Sequence, residues 1–288
     1  MYNGENPSLF HLIKRSKGRK ARIITEILDE NGFPQTTASG ILNTFVKYQE
    51  QKYGPMPLDD QCKDHMVSAG HRKVAGRWDY LSDIPIMMEE LQTVVHRGTG
   101  SKAPGRYDVC IAFFKGNWNT IKDDMLIMFN QMHIKGNIRE HQTHVIVVCT
   151  PKTTTPTTPA DYRPNTLLKT SYRILARIIT NLIQPIRSEL IHPSQRVGVQ
   201  GGGVFEAVGT VRDTIVYAEK TQIPLCILSL DFTEAFDRIS NKYPLKLLSS
   251  YGFSTELFAF IKNMYDQAYS SIHIHGHATG PTPIHCEV

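Results

Sequence analysis

Apolar residues recur at helical spacing through much of the first hundred residues. After the polar stretch Thr36–Ser39, apolar and aromatic side chains fall on one face of a helix, at Ile41, Leu42, Phe45 and Tyr48. This spacing predicts an amphipathic helix that ends near Gly54-Pro55. A second helix is predicted over residues 86–95, with glycines just beyond its end. We therefore interpret residues 1–97 as a mostly helical amino-terminal region.

Strand patterns appear in the second half of the chain. The β-branched run 145–149 predicts a strand, and residues 271–277 alternate apolar and polar side chains up to a turn at His275-Gly276. A Pro- and Thr-rich loop, 151–159, follows the first strand. Helices are predicted over residues 118–132, before the first strand, and over residues 171–190 and 204–215, between the two strands. The apolar residues of the last helix form one seam, which predicts packing. This mixture indicates an α+β fold.

One apolar run, Leu225–Leu230, ends in the acidic residue Asp231. Because the run is short and follows the turn signal Thr221–Pro224, it predicts a buried strand. Two more acidic residues follow, at Glu234 and Asp237. A carboxylate at the end of a buried strand needs a partner, and a divalent cation is one such partner. The same residues also suit the start of a helix with Asp231 as its N-cap, and spacing alone leaves both interpretations open.

Charge adds one feature to this picture. The 288 residues carry a net charge of +5, which is compatible with a polyanionic partner. Part of this charge is concentrated in a basic cluster near the start of the sequence, at Lys14, Arg15, Lys17, Arg19, Lys20 and Arg22. A solvated basic face explains this cluster as well as contact with nucleic acid or a nuclear signal does.

The sequence also bears on location. Five cysteines lie far apart without a CxxC pair, which is typical of reduced thiols inside a cell. The sequence opens with no signal-peptide pattern, and no apolar run approaches the roughly 18 residues of a membrane span. We expect an intracellular protein without a membrane partner, with the nucleus as one destination. The pair Asp123-Asp124 and the alternating histidines 273, 275 and 277 are interpreted as surface residues, not metal ligands.

Residues 228–239, with the sequence LSLDFTEAFDRI, closely resemble the first catalytic motif of reverse transcriptases from non-LTR (LINE-type) retrotransposons. In that family the acidic residue at the strand end binds two Mg²⁺ ions, a role that the resemblance gives to Asp231. The backbone carbonyl of Phe232 would be a second ligand, since main-chain oxygens suit this hard ion. The aromatic residue after Ala, here Phe236, would select the sugar of the incoming nucleotide.

The resemblance extends to the region around the Pro- and Thr-rich loop. In the family this region is a hairpin of the fingers, in which a lysine and an arginine hold the incoming triphosphate. Lys152 and Arg163 match these two positions. A flexible ammonium beside a planar guanidinium suits a polyphosphate. The sequence departs from the family pattern at several further positions, among them Tyr107, Asp108, Asn165 and Gly202.

The resemblance implies a fold and a function for residues 98–288. They would form part of a right-hand polymerase, with fingers and an incomplete palm. The complete parent would extend a DNA primer on an RNA template from deoxynucleoside triphosphates by two-metal nucleotidyl transfer with Mg²⁺. The family's Gln-Gly loop and Ala-Asp-Asp motif do not occur in this sequence. We therefore expect a carboxy-truncated domain with little or no activity alone. The alternative is a non-catalytic nucleic-acid-binding remnant, or an inert product of a decayed element.

Overall fold

The computed structural model describes residues 23–54, 85–99, 108–135, 140–192, 203–231, 239–274 and 276–284, and the single residues 64, 65, 67, 74, 76, 138, 194 and 195. The helices are α1 Ala38–Tyr53, α2 Met88–Arg97, α3 Ile111–Gly116, α4 Trp118–Lys135, α5 Glu140–Thr143, α6 Thr170–Leu190, α7 Val204–Thr221, α8 Lys242–Tyr251 and α9 Thr255–Asp266. The strands are β1 Ile27–Leu28, β2 Pro34–Gln35, β3 His144–Pro151, β4 Tyr162–Leu167, β5 Tyr269–Ile274, β6 His277–Ala278 and β7 Thr282–Pro283, and a 3-10 helix, Pro159–Asp161, precedes β4. Of the described helices, none is both long enough and apolar enough to cross a membrane.

A five-stranded mixed sheet organises the second half of the chain. Strand β3 lies between β4, its antiparallel hairpin partner, and β5, which runs parallel to it. The other edge of β5 carries β6 and β7, both antiparallel. Val145, Ile146 and Val147 are all buried, so β3 is covered on both faces where its β-branched run lies. The chain thus combines helices and a sheet, as the sequence predicts.

The larger hydrophobic core lies among helices α2, α3, α4, α6 and α9. Each of these helices carries apolar side chains on one face, and these faces meet. The fully buried side chains include Leu91, Val95, Phe129, Leu175, Ile178 and Phe260. The side-chain amide of Asn130 also accepts from the Ile86 backbone N–H at 2.7 Å and donates to the Ile86 carbonyl at 3.0 Å. This pair of bonds fixes the segment that leads into α2.

The smaller core joins the amino-terminal region to one face of the sheet. Ile27 of β1 and Phe45 of α1 pack with Tyr162 of β4 and Ile272 of β5. The rings of Phe45 and Tyr162 meet edge to face, with centroids 5.2 Å apart. Helix α1 therefore covers the sheet face that carries Tyr162 and Ile272. The domain boundary near residue 97 stays a prediction.

Two predictions about apolar residues between 204 and 230 are wrong. The helix forms as α7, yet Val204 and Val208 are exposed and Ala218 is the one buried residue recorded in that helix. The run Leu225–Leu230 is neither a strand nor buried, and 77% of Leu228 is exposed. A strand needs a neighbouring strand, and an apolar helix face needs a covering surface. Among the described residues, no strand pairs with the run.

Candidate functional site

The β3–β4 hairpin brings two sequence-predicted cations onto one face of the sheet. Thr150 pairs with Arg163, and Pro151 pairs with Tyr162. The Lys152 backbone N–H donates to the Asp161 carbonyl at 2.7 Å, which extends this ladder by one pair. Because side chains alternate along a strand and paired residues share a face, Lys152 and Arg163 lie on the same face as diagonal neighbours, roughly 7–8 Å apart.

This face is exposed and positively charged. The face carries exposed side chains, those of Lys152, Arg163 and Thr150, the residue that pairs with Arg163. Tyr162, in contrast, points to the buried face under α1. No carboxylate within the described ranges forms an ion pair with either cation. The ammonium of Lys152 donates to the Ala160 carbonyl at 2.8 Å, which leaves further N–H donors available. The arrangement can bind an anion that spans both side chains, such as a polyphosphate.

A single carboxylate closes the Pro- and Thr-rich loop beside these cations. Asp161 accepts from the backbone N–H groups of Thr157 and Thr158, both at 2.9 Å. It also accepts from the hydroxyl of Thr158 at 3.0 Å and that of Thr157 at 3.4 Å. The hydrogen bonds from Thr157 and Thr158 hold the pKa of Asp161 below its usual range. The sequence analysis missed this residue, although Thr158 followed by Asp161 has the spacing of a helix-capping pair.

A cross-strand hydrogen bond lies farther along the same face. The side-chain amide of Asn165 donates to the Thr150 hydroxyl at 2.6 Å. Thr150 is the residue paired with Arg163, so this bond ties the two strands together next to the guanidinium. The pattern of the family that the sequence resembles has an isoleucine at this position, and an isoleucine side chain could not donate this hydrogen bond.

Of the two predicted metal ligands, the structure describes Asp231. Asp231 is exposed at the end of the irregular run 225–230, so its charge is solvated and does not need a cation for compensation. Phe232 and Phe236 lie outside the described residues. Across the described part of the chain, no group of three or more metal-binding side chains occurs. A carboxylate and a main-chain carbonyl suit Mg²⁺, but one exposed carboxylate is not by itself a Mg²⁺ site.

The remaining predictions concern the basic cluster, the aspartate pair and the histidines. The basic cluster, from Lys14 to Arg22, lies outside the described residues. Asp123 and Asp124 are exposed on α4, as predicted for surface charges. His277 is exposed as predicted, but His273 is half-buried, so the prediction of a surface position is wrong for His273. The two lie on opposite faces of the β5–β6 hairpin, because His273 pairs with Ala278 and His277 with Ile274. His275 lies outside the described residues.

Asp108 has a role that the sequence analysis did not predict. Its carboxylate accepts from the backbone N–H of Thr170, the first residue of α6. The Thr170 hydroxyl donates to the Val109 carbonyl at 2.7 Å. The start of a helix has unpaired N–H groups and a positive dipole end, so a carboxylate there is stabilising. A residue that departs from the family pattern thus caps the helix that follows the hairpin.

Comparison with known proteins gives two results. Residues 150–287 match the family described as "Reverse transcriptase (RNA-dependent DNA polymerase)". Over 273 residues the chain is 28% identical to the "Transposon TX1 uncharacterized 149 kDa protein" of Xenopus laevis. That alignment covers 94% of this chain and 21% of the relative, so the chain spans about a fifth of the relative's length. The matched range begins near the end of β3 and contains Lys152, Arg163 and Asp231.

Proposed function

We propose that the chain is a reverse transcriptase of the non-LTR retrotransposon type, on the strength of the match over residues 150–287 and the similarity to the transposon protein. We propose also that the hairpin face binds the triphosphate of an incoming deoxynucleotide. The observation that carries the proposal is that Lys152 and Arg163 lie on one exposed face and that no carboxylate of the described residues forms an ion pair with either. Two cations at that spacing match the several charges of a triphosphate.

Binding of a triphosphate to the 288-residue chain tests this proposal. In Lys152→Ala and Arg163→Ala we expect the affinity for Mg²⁺-dATP to fall at least about tenfold each, because each variant loses a charge-assisted hydrogen bond. Isothermal titration calorimetry at low salt measures the affinity. Arg177→Ala, which removes an exposed cation from α6, serves as the control and should bind like the wild type. Equal affinities in all four proteins would remove the hairpin from the nucleotide site.

We propose further that the complete protein extends a DNA primer on an RNA template. In this proposal Asp231 and the Phe232 carbonyl are Mg²⁺ ligands, and Phe236 excludes ribonucleotides. When bound, Mg²⁺ would supply charge neutralisation at the phosphates. The role of Phe236 predicts that Phe236→Val admits ribonucleotides, and unchanged sugar selectivity would contradict it.

The exposed position of Asp231 supports a second part of this proposal. The run 225–231 must be paired within a sheet before its carboxylate is fixed, and no described strand pairs with it. We infer that the chain alone binds nucleotide but synthesises little or no DNA. Within the full-length protein, Asp231→Asn should abolish Mg²⁺-dependent DNA synthesis on an RNA template, while Asp213→Asn, an exposed control on α7, should not. Full synthesis by Asp231→Asn would exclude it from the metal site.

A non-catalytic nucleic-acid-binding protein is the competing proposal. The basic cluster Lys14–Arg22 supports it. Such a protein would bind RNA or DNA with a steep dependence on salt, because bound phosphates release counterions. Binding of that kind without synthesis, in the full-length protein, would favour this proposal over polymerisation.

A further inference from the structure

The loop between β3 and β4 is closed by one side chain, and we propose that Asp161 is a positioning residue for the nucleotide phosphates, acting through Lys152. This inference rests on the proposed function of the hairpin and adds a residue that does not itself touch the nucleotide. This loop comprises residues 152–161.

The carboxylate of Asp161 accepts hydrogen bonds from other residues of the same loop. Its four hydrogen bonds reach two successive residues, Thr157 and Thr158, through both backbone and side chain. Backbone N–H groups in an irregular segment have no strand or helix to pair with, so this carboxylate replaces the missing partners. The Asp161 side chain thus supplies acceptors for the two residues that lead into the 3-10 helix Pro159–Asp161.

Lys152 is attached to the same end of the loop by two bonds. Its backbone N–H donates to the Asp161 carbonyl at 2.7 Å, and its ammonium donates to the Ala160 carbonyl at 2.8 Å. Both acceptors belong to the 3-10 helix that Asp161 ends. Loss of the Asp161 carboxylate would therefore release the segment that fixes both the backbone and the ammonium of Lys152.

The outer side of the loop is fixed to the amino-terminal region. Pro159 is buried, and the carbonyl of Thr157 accepts from the Leu28 backbone N–H at 2.8 Å. The loop is thus held on one side by β1 and on the other by Asp161. An ammonium held in place loses less conformational entropy when a phosphate binds than one on a free side chain.

The experiment compares variants of the full 288-residue chain by titration calorimetry with inorganic tripolyphosphate and with Mg²⁺-dATP. Asp161→Ala should bind both probes at least about tenfold more weakly, the size of one lost charge-assisted hydrogen bond. Asp161→Asn keeps one oxygen acceptor for the two threonine N–H groups and should recover most of the affinity. Ser254→Ala, which removes the side-chain cap of α9 away from the hairpin, is the stability control and should bind like the wild type.

The double variant Lys152→Ala/Asp161→Ala separates a positioning role from a general loss of stability. If Asp161 acts through Lys152, the double variant binds no more weakly than Lys152→Ala alone, because the two effects are not additive. Additive losses would overturn the proposal. If Asp161→Ala fails to fold, Thr157→Val/Thr158→Val removes the two hydroxyl bonds and keeps the carboxylate. In that variant the affinity should fall at least two- to threefold, which corresponds to roughly half the free energy of a hydrogen bond. Such a loss supports the proposal, and wild-type affinity overturns it.

Failure of this inference differs from failure of the proposed function. If Lys152→Ala and Arg163→Ala both bind the probes like the wild type, the hairpin is not the phosphate site and both proposals fall. If Lys152→Ala binds weakly while Asp161→Ala binds like the wild type, the hairpin function stands and only the positioning role of Asp161 is overturned.

Discussion

Two aspartates organise separate turns of this chain in the same way. Asp29 accepts from the backbone N–H groups of Phe33 at 2.9 Å and Asn31 at 3.0 Å, which closes the turn between β1 and β2. Asp161 closes the β3–β4 loop with bonds of the same kind. In each case a charged oxygen satisfies N–H groups that regular structure leaves unpaired, and hydrogen bonds to the charged form lower the pKa of the carboxyl group.

These two carboxylates predict how the stability of the protein depends on acid. Their pKa values are lowered in the folded state from about 3.8, so an unfolded chain binds their protons at a higher pH than the folded chain does. Their contribution to stability is complete above the unfolded pKa and is lost as the pH falls through the lower folded pKa.

Chemical denaturation between pH 5 and pH 2 measures this dependence. The free energy of unfolding should rise with pH across the window below 3.8, and the slope should be shallower in Asp161→Asn than in the wild type. Asp266→Asn is the control, because it removes an exposed acid on α9 and keeps Asp29 and Asp161. Its free energy of unfolding should fall only by the contribution of the ion pair between Asp266 and Lys262. Superimposable curves for Asp161→Asn and the wild type would contradict the prediction.

At the scale of elements, the hairpin and the run 225–230 behave differently although both are rich in strand-forming residues. Strand β3 has neighbours on both edges, so its backbone groups are paired and its side chains are buried. The run has no described strand beside it, and Ile227, Leu228 and Leu230 are more than half exposed. Exposed apolar segments without a pairing strand favour association between chains.

A single substitution distinguishes the exposed run from the buried strand predicted by sequence. Leu228→Lys should change the free energy of unfolding by less than about 0.5 kcal/mol and should reduce light scattering on concentration, because the side chain is 77% exposed. Leu245→Lys, which places the same charge at a buried position of α8, should cost several-fold more stability. A loss of about 2 kcal/mol or more in Leu228→Lys would show that the run is buried after all.

At the scale of the molecule, the amino-terminal region and the sheet share one core. Phe45 of α1 is 2% exposed and contacts Tyr162, which lies between Asp161 and Arg163 on β4. The helix thus supports the hairpin from the face opposite to the cations. The larger core, among α2, α3, α4, α6 and α9, is built from other residues.

This arrangement predicts that a substitution in the core of α1 also affects the hairpin. Phe45→Ala should lower the free energy of unfolding by about 3–5 kcal/mol, because it leaves a cavity beside Tyr162. The same variant should weaken tripolyphosphate binding. Phe113→Ala, at a position of α3 that is 47% exposed, is the matched control and should cost about 1 kcal/mol or less. Denaturant unfolding measures both, and a Phe45→Ala loss no larger than that of Phe113→Ala would contradict the shared core.

Some parts of this protein could be predicted from the sequence because they depend on neighbouring residues. The helix from Ala38 to Tyr53 follows its own apolar spacing and is capped by Thr37, whose side chain accepts from Gly40 at 3.1 Å. The turn after α7 forms where predicted, with Gln222 in the left-handed conformation. Lys152 and Arg163 were predicted as a pair from the family resemblance, and the register of the hairpin places them together.

Other features required the tertiary structure because they depend on residues distant in sequence. The capping of α6 by Asp108 joins positions 62 apart. Spacing correctly identified the run 225–230 as apolar but could not show whether another strand lies beside it. The sequence by itself determined the local helices and the chemistry of the hairpin cations, because those are fixed by residue type and short-range spacing. The tertiary structure decided which surfaces are buried, and it placed Asp161 at the base of the loop and Asp231 in solvent, because burial and pairing depend on what the fold brings alongside.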